Sequence, residues 1–268
     1  LTASKIVTLT TDFGLKDAYV SEMKGVILGI CPTAIIVDIT HDVRQFDIRN
    51  GAYMMAAAAP YFPNGTVHVG IVDPGVGTER HPLILETKRG FFIGPDNGLM
   101  IMAAEAQGIE AVCRVTSRSY MLSHVSGTFH GRDIFAPIAA HLLNGIGIEE
   151  FGPPQTEFVK PTFSIIEKTN DSLVGEILHV DNFGNIITNI SYRDLNTPIG
   201  IFLQVKFPRR NLKLNLVKSY GEAKVKEPLA LINSHNYLEI ALNQGNAAAN
   251  FEAKEGDRIV VSQSISTT

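Results

Sequence analysis

Three polar residues of this chain have the types and spacing needed to activate a water molecule. Asp73 follows the apolar run VHVGIV, Arg80 lies seven residues further on past a Gly-rich turn, and His130 sits in the turn-like stretch Gly127–Gly131. A carboxylate, a guanidinium and an imidazole brought together can orient a water and take its proton. The carboxylate accepts a proton or fixes a tautomer, the Arg keeps the carboxylate ionised and aimed, and the His moves a proton near neutral pH. The same spacing also suits an Asp–Arg ion pair bracing a loop beside a capping histidine, and spacing alone leaves both readings open.

Other chemistries find less support in the same residues. There is no HxxxH, no HxH and no Cys pair, and His41-Asp42 stands apart in sequence from the other candidate ligands, so the sequence predicts no catalytic metal. Gly70, Gly75 and Gly77 do not make GxGxxG, no GKS or GKT occurs, and there is no GxSxG elbow for a serine nucleophile. No cofactor is expected. Cys31 and Cys113 have neither metal-ligand spacing nor a disulfide framework around them, which fits a reducing compartment.

The elements that must position these residues follow from the apolar runs. Lys5–Thr11 reads as a buried strand ending at Asp12; Val20, Met23, Ile27 and Ile30 then recur at helical spacing up to Pro32. Ala34–Ile39 is a second strand, and Ile48–Ala59 a small-faced helix stopped by Pro60. The run before Asp73, a hairpin-like return through FFIG to Asp96, and a helix from Asn97 to about Gln107 come next. The stretch between that helix and residue 125 reads as loop, and Asp133–Leu143 reads as an apolar-faced helix with Arg132 and Asp133 in its first turn. Strand alternating with helix predicts an α/β domain with a mainly parallel sheet. Each strand end then carries an acid, Asp12, Asp38, Asp73 or Asp96, at the edge where open α/β sheets bind ligands.

Residues 1–151 would form this domain, 152–163 a Pro-rich linker, and 164–268 a second, smaller one. Beyond the linker come short runs with β-branched residues and turns between them, with no convincing helix, which predicts an all-β barrel or sandwich. Asp181-Asn182-Phe183-Gly184-Asn185 reads either as a type I′-like hairpin turn or as a binding loop. In the second reading Phe183 stacks on a planar heterocycle and Asn185 bonds a donor and an acceptor on its edge.

The 268 residues, 45% hydrophobic, suffice for these cores. A net charge of −4 gives no electrostatic footprint for nucleic acid or an anionic membrane surface, and no apolar run reaches the ~18–20 residues of a membrane-spanning helix. Cytoplasmic location is the default expectation; the chain begins at Leu1, and a removed leader stays open.

The segments LTTDFG, VDPGVGTER, IGPDNGL, FHGRD, DNFGNIITN and NSHNYLEIALNQGNAA together resemble one family. It is the S-adenosylmethionine hydroxide adenosyltransferases (DUF62), relatives of the bacterial fluorinase and chlorinase. The resemblance implies a homotrimer whose sites lie between the N-terminal domain of one subunit and the C-terminal domain of the next. It also implies attack of water on the ribose C5′ of S-adenosylmethionine, giving adenosine and methionine, with no cofactor. It places the catalytic trio on Asp73, Arg80 and His130, the ribose-binding Asp on Asp12, and the adenine side on Asp181, Phe183 and Asn185. Phe46 takes the place of an aromatic pocket wall. The strand around Ser234–Ile240, with Ser234 and Glu239, would contact the adenine or the methionine end. Arg80 beside Asp73 lowers that carboxylate's basicity, which favours His130 as the proton acceptor with Asp73 and Arg80 orienting the water.

A halide adenosyltransferase and a non-catalytic S-adenosylmethionine- or adenosine-binding protein stand as alternatives. The first is disfavoured because the halogenases of this family carry Tyr at the position of Asp73 and Tyr-Ser or Tyr-Gly at His130-Gly131. A halide needs only desolvation, whereas water needs a polarising group.

Overall fold

The computed structural model describes residues 5–263. They divide into two compact units, with the boundary between Pro161 and Thr162.

The first unit is built on a six-stranded sheet. Its strands are β1 (Ile6–Thr11), β2 (Ile35–Thr40), β3 (Thr66–Ile71), β4 (Pro82–Thr87), β5 (Gly90–Pro95) and β6 (Ile109–Arg114), in the order β2-β1-β3-β5-β4-β6. β1, β2, β3 and β5 run parallel, and β4 alone is antiparallel to its neighbours β5 and β6. Every residue of β3 is buried, as expected of a strand covered on both faces. The helices are α1 (Tyr19–Ile30), α2 (Ile48–Ala58), α3 (Ile101–Gln107) and α4 (Ala136–Leu143). Val20, Met23 and Ile27 form the buried stripe of α1. Met23 and Ile27 join a core with Val7, Leu9, Val67, Val69, Phe135 and Ile138, each such side chain contributing about 1.5–3 kcal/mol by leaving water.

Four local features differ from the sequence expectation. β6 occupies part of the stretch read as loop; it is the edge strand, with Glu110 exposed and only Val112 and Cys113 buried, so no long apolar run announced it. The helix expected from Asn97 begins only at Ile101, because Asn97 spends its side chain elsewhere. Its amide donates to the Val72 carbonyl and its oxygen accepts from the Leu99 N–H, and Gly98 follows at φ +90°. The last helix opens with one π-turn, Gly131–Phe135, before α4 takes over with Pro137 in its first turn. Asp38 lies inside β2, where it pairs with Lys24 and His41, so it is not at a strand end.

The second unit is a closed seven-stranded barrel. β8 (Leu173–Val180), β9 (Ile186–Ser191), β10 (Phe202–Lys206), β11 (Asn211–Val217), β12 (Pro228–Ile232), β13 (Tyr237–Leu242) and β14 (Arg258–Gln263) follow the order β14-β10-β11-β12-β13-β9-β8, and pairing of β14 with β8 closes the ring. The two-residue β7 (Glu167–Lys168) pairs with β8. Closure leaves no long free edge and wraps a core that includes Ile177, Ile186, Leu203, Leu214, Ile240 and Ile259. Two single-turn helices, α5 (Tyr192–Leu195) and α6 (Ala247–Phe251), depart from the all-β expectation. Each is started by a side-chain cap, from Ser191 and Asn246 respectively, rather than by an apolar periodicity. No helix is long and apolar enough to cross a membrane among the described residues.

Candidate active site

Four segments enclose a cavity of about 440 Å³, three of them following strands of the first sheet. The loop after β1 supplies Asp12, the segment after β2 supplies Phe46, and the turn after β3 supplies Asp73. The loop entering the π-turn supplies His130, so four of the residues singled out in the sequence line one cavity. Phe13, Asp17, Tyr19, Gln45, Thr128 and Phe129 line it as well. Sequence reasoning missed these six, although Phe13 and Phe129 adjoin Asp12 and His130 in the chain. Asp96 takes no part in the lining; its carboxylate accepts from the Val159 N–H.

Arg80 reaches Asp73 because the turn between them folds back tightly. The Thr78 hydroxyl donates to the Gly75 carbonyl at 2.7 Å and accepts from the Arg80 N–H. Gly77 has φ +76°, and a Cβ there would collide with the Gly127 carbonyl, so glycine lets this turn approach the loop that carries His130.

One guanidinium holds the other two members of the trio. Arg80 Nε donates to both Asp73 oxygens at 3.0 Å, and Nη2 donates to Asp73 Oδ2 and, at 2.9 Å, meets His130 Nδ1. Both partners of the ion pair are nearly buried, with 9% and 6% of their side chains exposed. Arginine carries only donors, so His130 Nδ1 must be the acceptor and the imidazole is neutral with its proton on Nε2. Burial, reinforced by the Arg80 charge, holds His130 below its ordinary range, whereas Asp73 and Asp133 pull the other way. This geometry changes the assignment of the proton: an Nε2 that already carries hydrogen cannot accept another while Nδ1 is bound to Arg80.

Asp12 is half-buried, and burial pushes its carboxyl up, with the Asp73 charge adding to the effect. The Phe46 N–H donates to Asp12 Oδ2 at 2.9 Å and opposes that shift. Phe46 itself is 67% exposed with a left-handed backbone, φ +64°.

In the barrel unit, Asp181, Phe183 and Asn185 line a separate cavity of about 630 Å³ together with Tyr220, Asn243 and Asn246. The loop is not a two-residue type I′ turn. Asp181 Oδ1 accepts from the Phe183 and Asn185 N–H groups, and only Gly184 has positive φ. Asn185 Nδ2 donates to Asp181 Oδ2, so one amide proton is committed inside the loop. Phe183 stands 78% exposed, its ring available to a flat partner. Glu239 is buried behind this wall and accepts from the Tyr220 hydroxyl at 2.5 Å; burial and the nearby Asp181 charge raise its carboxyl. Ser234 lies in the turn before β13 and is not part of the lining.

The two units match two models of one family, the N-terminal domain of SAM hydroxide adenosyltransferase over residues 7–152 and its C-terminal domain over residues 175–260. The chain belongs to the SAM hydroxide adenosyltransferase family. A relative from Methanocaldococcus jannaschii, the (R)-S-adenosyl-L-methionine hydrolase, is 40% identical over 91% of this chain and 90% of its own. Among solved structures, that of an uncharacterized conserved protein from Thermotoga maritima is 37% identical with a TM-score of 0.88, covering 96% of this chain and 99% of that one. A fluorinase from Actinoplanes sp. is similar at 28% identity over 96% of this chain and 97% of its own.

Proposed function

We propose that this SAM hydroxide adenosyltransferase cleaves S-adenosylmethionine with water at the ribose C5′, releasing adenosine and methionine. The observation that carries the reading is the single guanidinium of Arg80 fixing Asp73 and His130 at the wall of an acid-lined cavity. The substrate is a sulfonium and its leaving group a neutral thioether, so positive charge leaves sulfur as the C5′–O bond forms. The attacking water becomes an oxonium, a strong acid, so a weak base suffices to take its proton. Asp73, ionised beside Arg80, aligns the water and receives that proton, which then passes to solvent. His130, neutral and bound through Nδ1, fixes the other side of the guanidinium and offers its Nε2–H to the water oxygen. Positioning of this kind can supply a large share of a barrier, on the order of 7–11 kcal/mol in the best cases.

In this reading Asp12 holds the ribose hydroxyls, and Phe183 stacks on the adenine against the Asp181–Asn185 loop. Phe183 and Phe46 are both exposed, which supports a homotrimer in which the barrel of one subunit covers the α/β cavity of the next. Glu239 belongs to the barrel's side of that site through Tyr220, which lines the cavity. Neither a metal nor a cofactor has a part in this reaction, and neither nucleic acid nor membrane is a partner.

The test is to incubate the pure protein with S-adenosylmethionine in halide-free buffer and then in chloride, and to separate the products. Adenosine and methionine in both buffers, lost in His130→Ala, is the expected outcome. A 5′-chloro-adenosine peak would move the chain to the halide enzymes. Tight binding without product would make it a binding protein.

A further inference from the structure

The FHGRD segment holds two charged residues, Arg132 and Asp133, that the reaction above does not use. Asp133 is fully buried, and burial alone would push its carboxyl up. Arg132 and Ser126 more than offset that, so it stays a carboxylate with every oxygen engaged. Its Oδ2 accepts from the Ser126 N–H at 2.8 Å and the Ser126 hydroxyl at 2.7 Å; Arg132 donates from Nε to Oδ1 at 2.7 Å and from Nη2 to Oδ2 at 3.3 Å. Ser126 Oγ in turn accepts from the Phe129 N–H at 3.1 Å. Arg132 also reaches Glu22 on α1 at 2.7 Å and lies over the Phe129 ring, 5.1 Å from its centroid. The loop pinned at both ends by these bonds is the one that supplies Thr128, Phe129 and His130 to the cavity.

We propose that Asp133 is a positioning residue for His130, acting through Ser126 and the π-turn, and that its buried carboxylate, three residues on in the turn that His130 caps, also acts on the imidazole by its charge. This rests on the function proposed above for the trio. The groups whose charges bear on His130 are Arg80 and Arg118, which disfavour its protonation, and Asp73 and Asp133, which favour it. An imidazole that must stay neutral to accept from Arg80 loses function when it protonates, so the acid limb of turnover follows His130. Two variants separate place from charge. Asp133→Asn loosens the Arg132 pairing and removes one favouring charge, so the acid limb moves to lower pH. Ser126→Ala cuts the lacing but leaves the charge, so the limb stays where it is.

The experiment measures kcat and KM for S-adenosylmethionine against pH in the wild type and both variants. A parallel NMR titration follows the His130 imidazole, assigned by His130→Ala. Both variants should lower kcat by about 10- to 100-fold with little change in KM, as a displacement near 1 Å of a reacting group does. Only Asp133→Asn should move the acid limb and the His130 midpoint, both downward. Wild-type kcat in both variants, or an unmoved His130 midpoint in Asp133→Asn, would overturn the proposal. A wild type that makes no adenosine would instead sink the functional reading, while the NMR titration still tests the link from Asp133 to His130.

Discussion

His68 makes acid a specific threat to the first unit. It sits on β3, the central strand that leads to Asp73, and is 2% exposed. Its Nδ1 is 2.9 Å from the Thr8 hydroxyl, its ring stacks on Phe92 at 4.8 Å, and Phe62 meets it edge-on. Burial, aided by the Arg89 charge, lowers its pKa from 6.5 to about 4. Between these values the unfolded chain binds a proton that the folded chain does not, so stability falls as pH drops from 6.5 to 4 and the contribution levels off below. At 1.36 kcal/mol per pH unit, a difference of about 2.5 units corresponds to roughly 3 kcal/mol. His68→Asn keeps a polar atom near Thr8 but removes the titration. It loses ring packing equally at every pH, so the slope, not the level, carries the information. The chain has no tryptophan, so denaturant unfolding is followed by far-ultraviolet circular dichroism at fixed protomer concentration. The wild type should lose about 3 kcal/mol more than the variant between pH 7 and pH 4. Equal losses would refute the reasoning, as would an NMR midpoint for His68 near 6.5.

Three further outcomes follow from the site. Arg80→Lys keeps the charge but not the fork that holds Asp73 and His130 together, so kcat should fall more than about tenfold in a product assay while adenosine still binds by calorimetry. Phe183→Ala should weaken adenosine binding by about 1–2 kcal/mol if the ring stacks, and calorimetry showing an unchanged affinity would place the adenine elsewhere. Asp73→Asn and Phe183→Ala, each poorly active alone, should recover turnover when mixed and allowed to exchange subunits. A mixture no better than its parts would argue against sites shared between subunits.

The sequence was most legible where one local pattern decides the structure. The apolar runs of β1, β3 and β5, each followed by an acid and a turn, could be read because strands covered on both faces have little choice of residue. The barrel's short β-branched runs were legible for a similar reason. What escaped was set by contacts distant in sequence. Asn97 looks like a helix start until its side chain is seen on the Val72 carbonyl. β6 is an edge strand that only its pairing with β4 defines. The spacing of Asp73, Arg80 and His130 allowed a trio, but the tautomer of His130 is set by a guanidinium N–H facing Nδ1, a contact between residues 50 apart in the chain.

The backbone of Phe46 connects binding to strain. A non-glycine residue at φ +64° costs on the order of 1–3 kcal/mol and persists only where its surroundings fix it. What fixes it is Asp12: the Phe46 N–H donates to Oδ2, and the same loops are tied by the Gly14 N–H on the His41 carbonyl and the Val43 N–H on the Thr11 carbonyl. The carboxylate proposed to hold the ribose therefore also holds the ring at the cavity's rim. Loss of Asp12 should free Phe46 to relax toward ordinary backbone angles, so its effect on substrate affinity should exceed the loss of one ribose contact. A carboxylate that served the ribose alone would give additive losses for Asp12→Ala and Phe46→Gly. Coupling through the Phe46 N–H makes the double variant less damaged than the sum of the two.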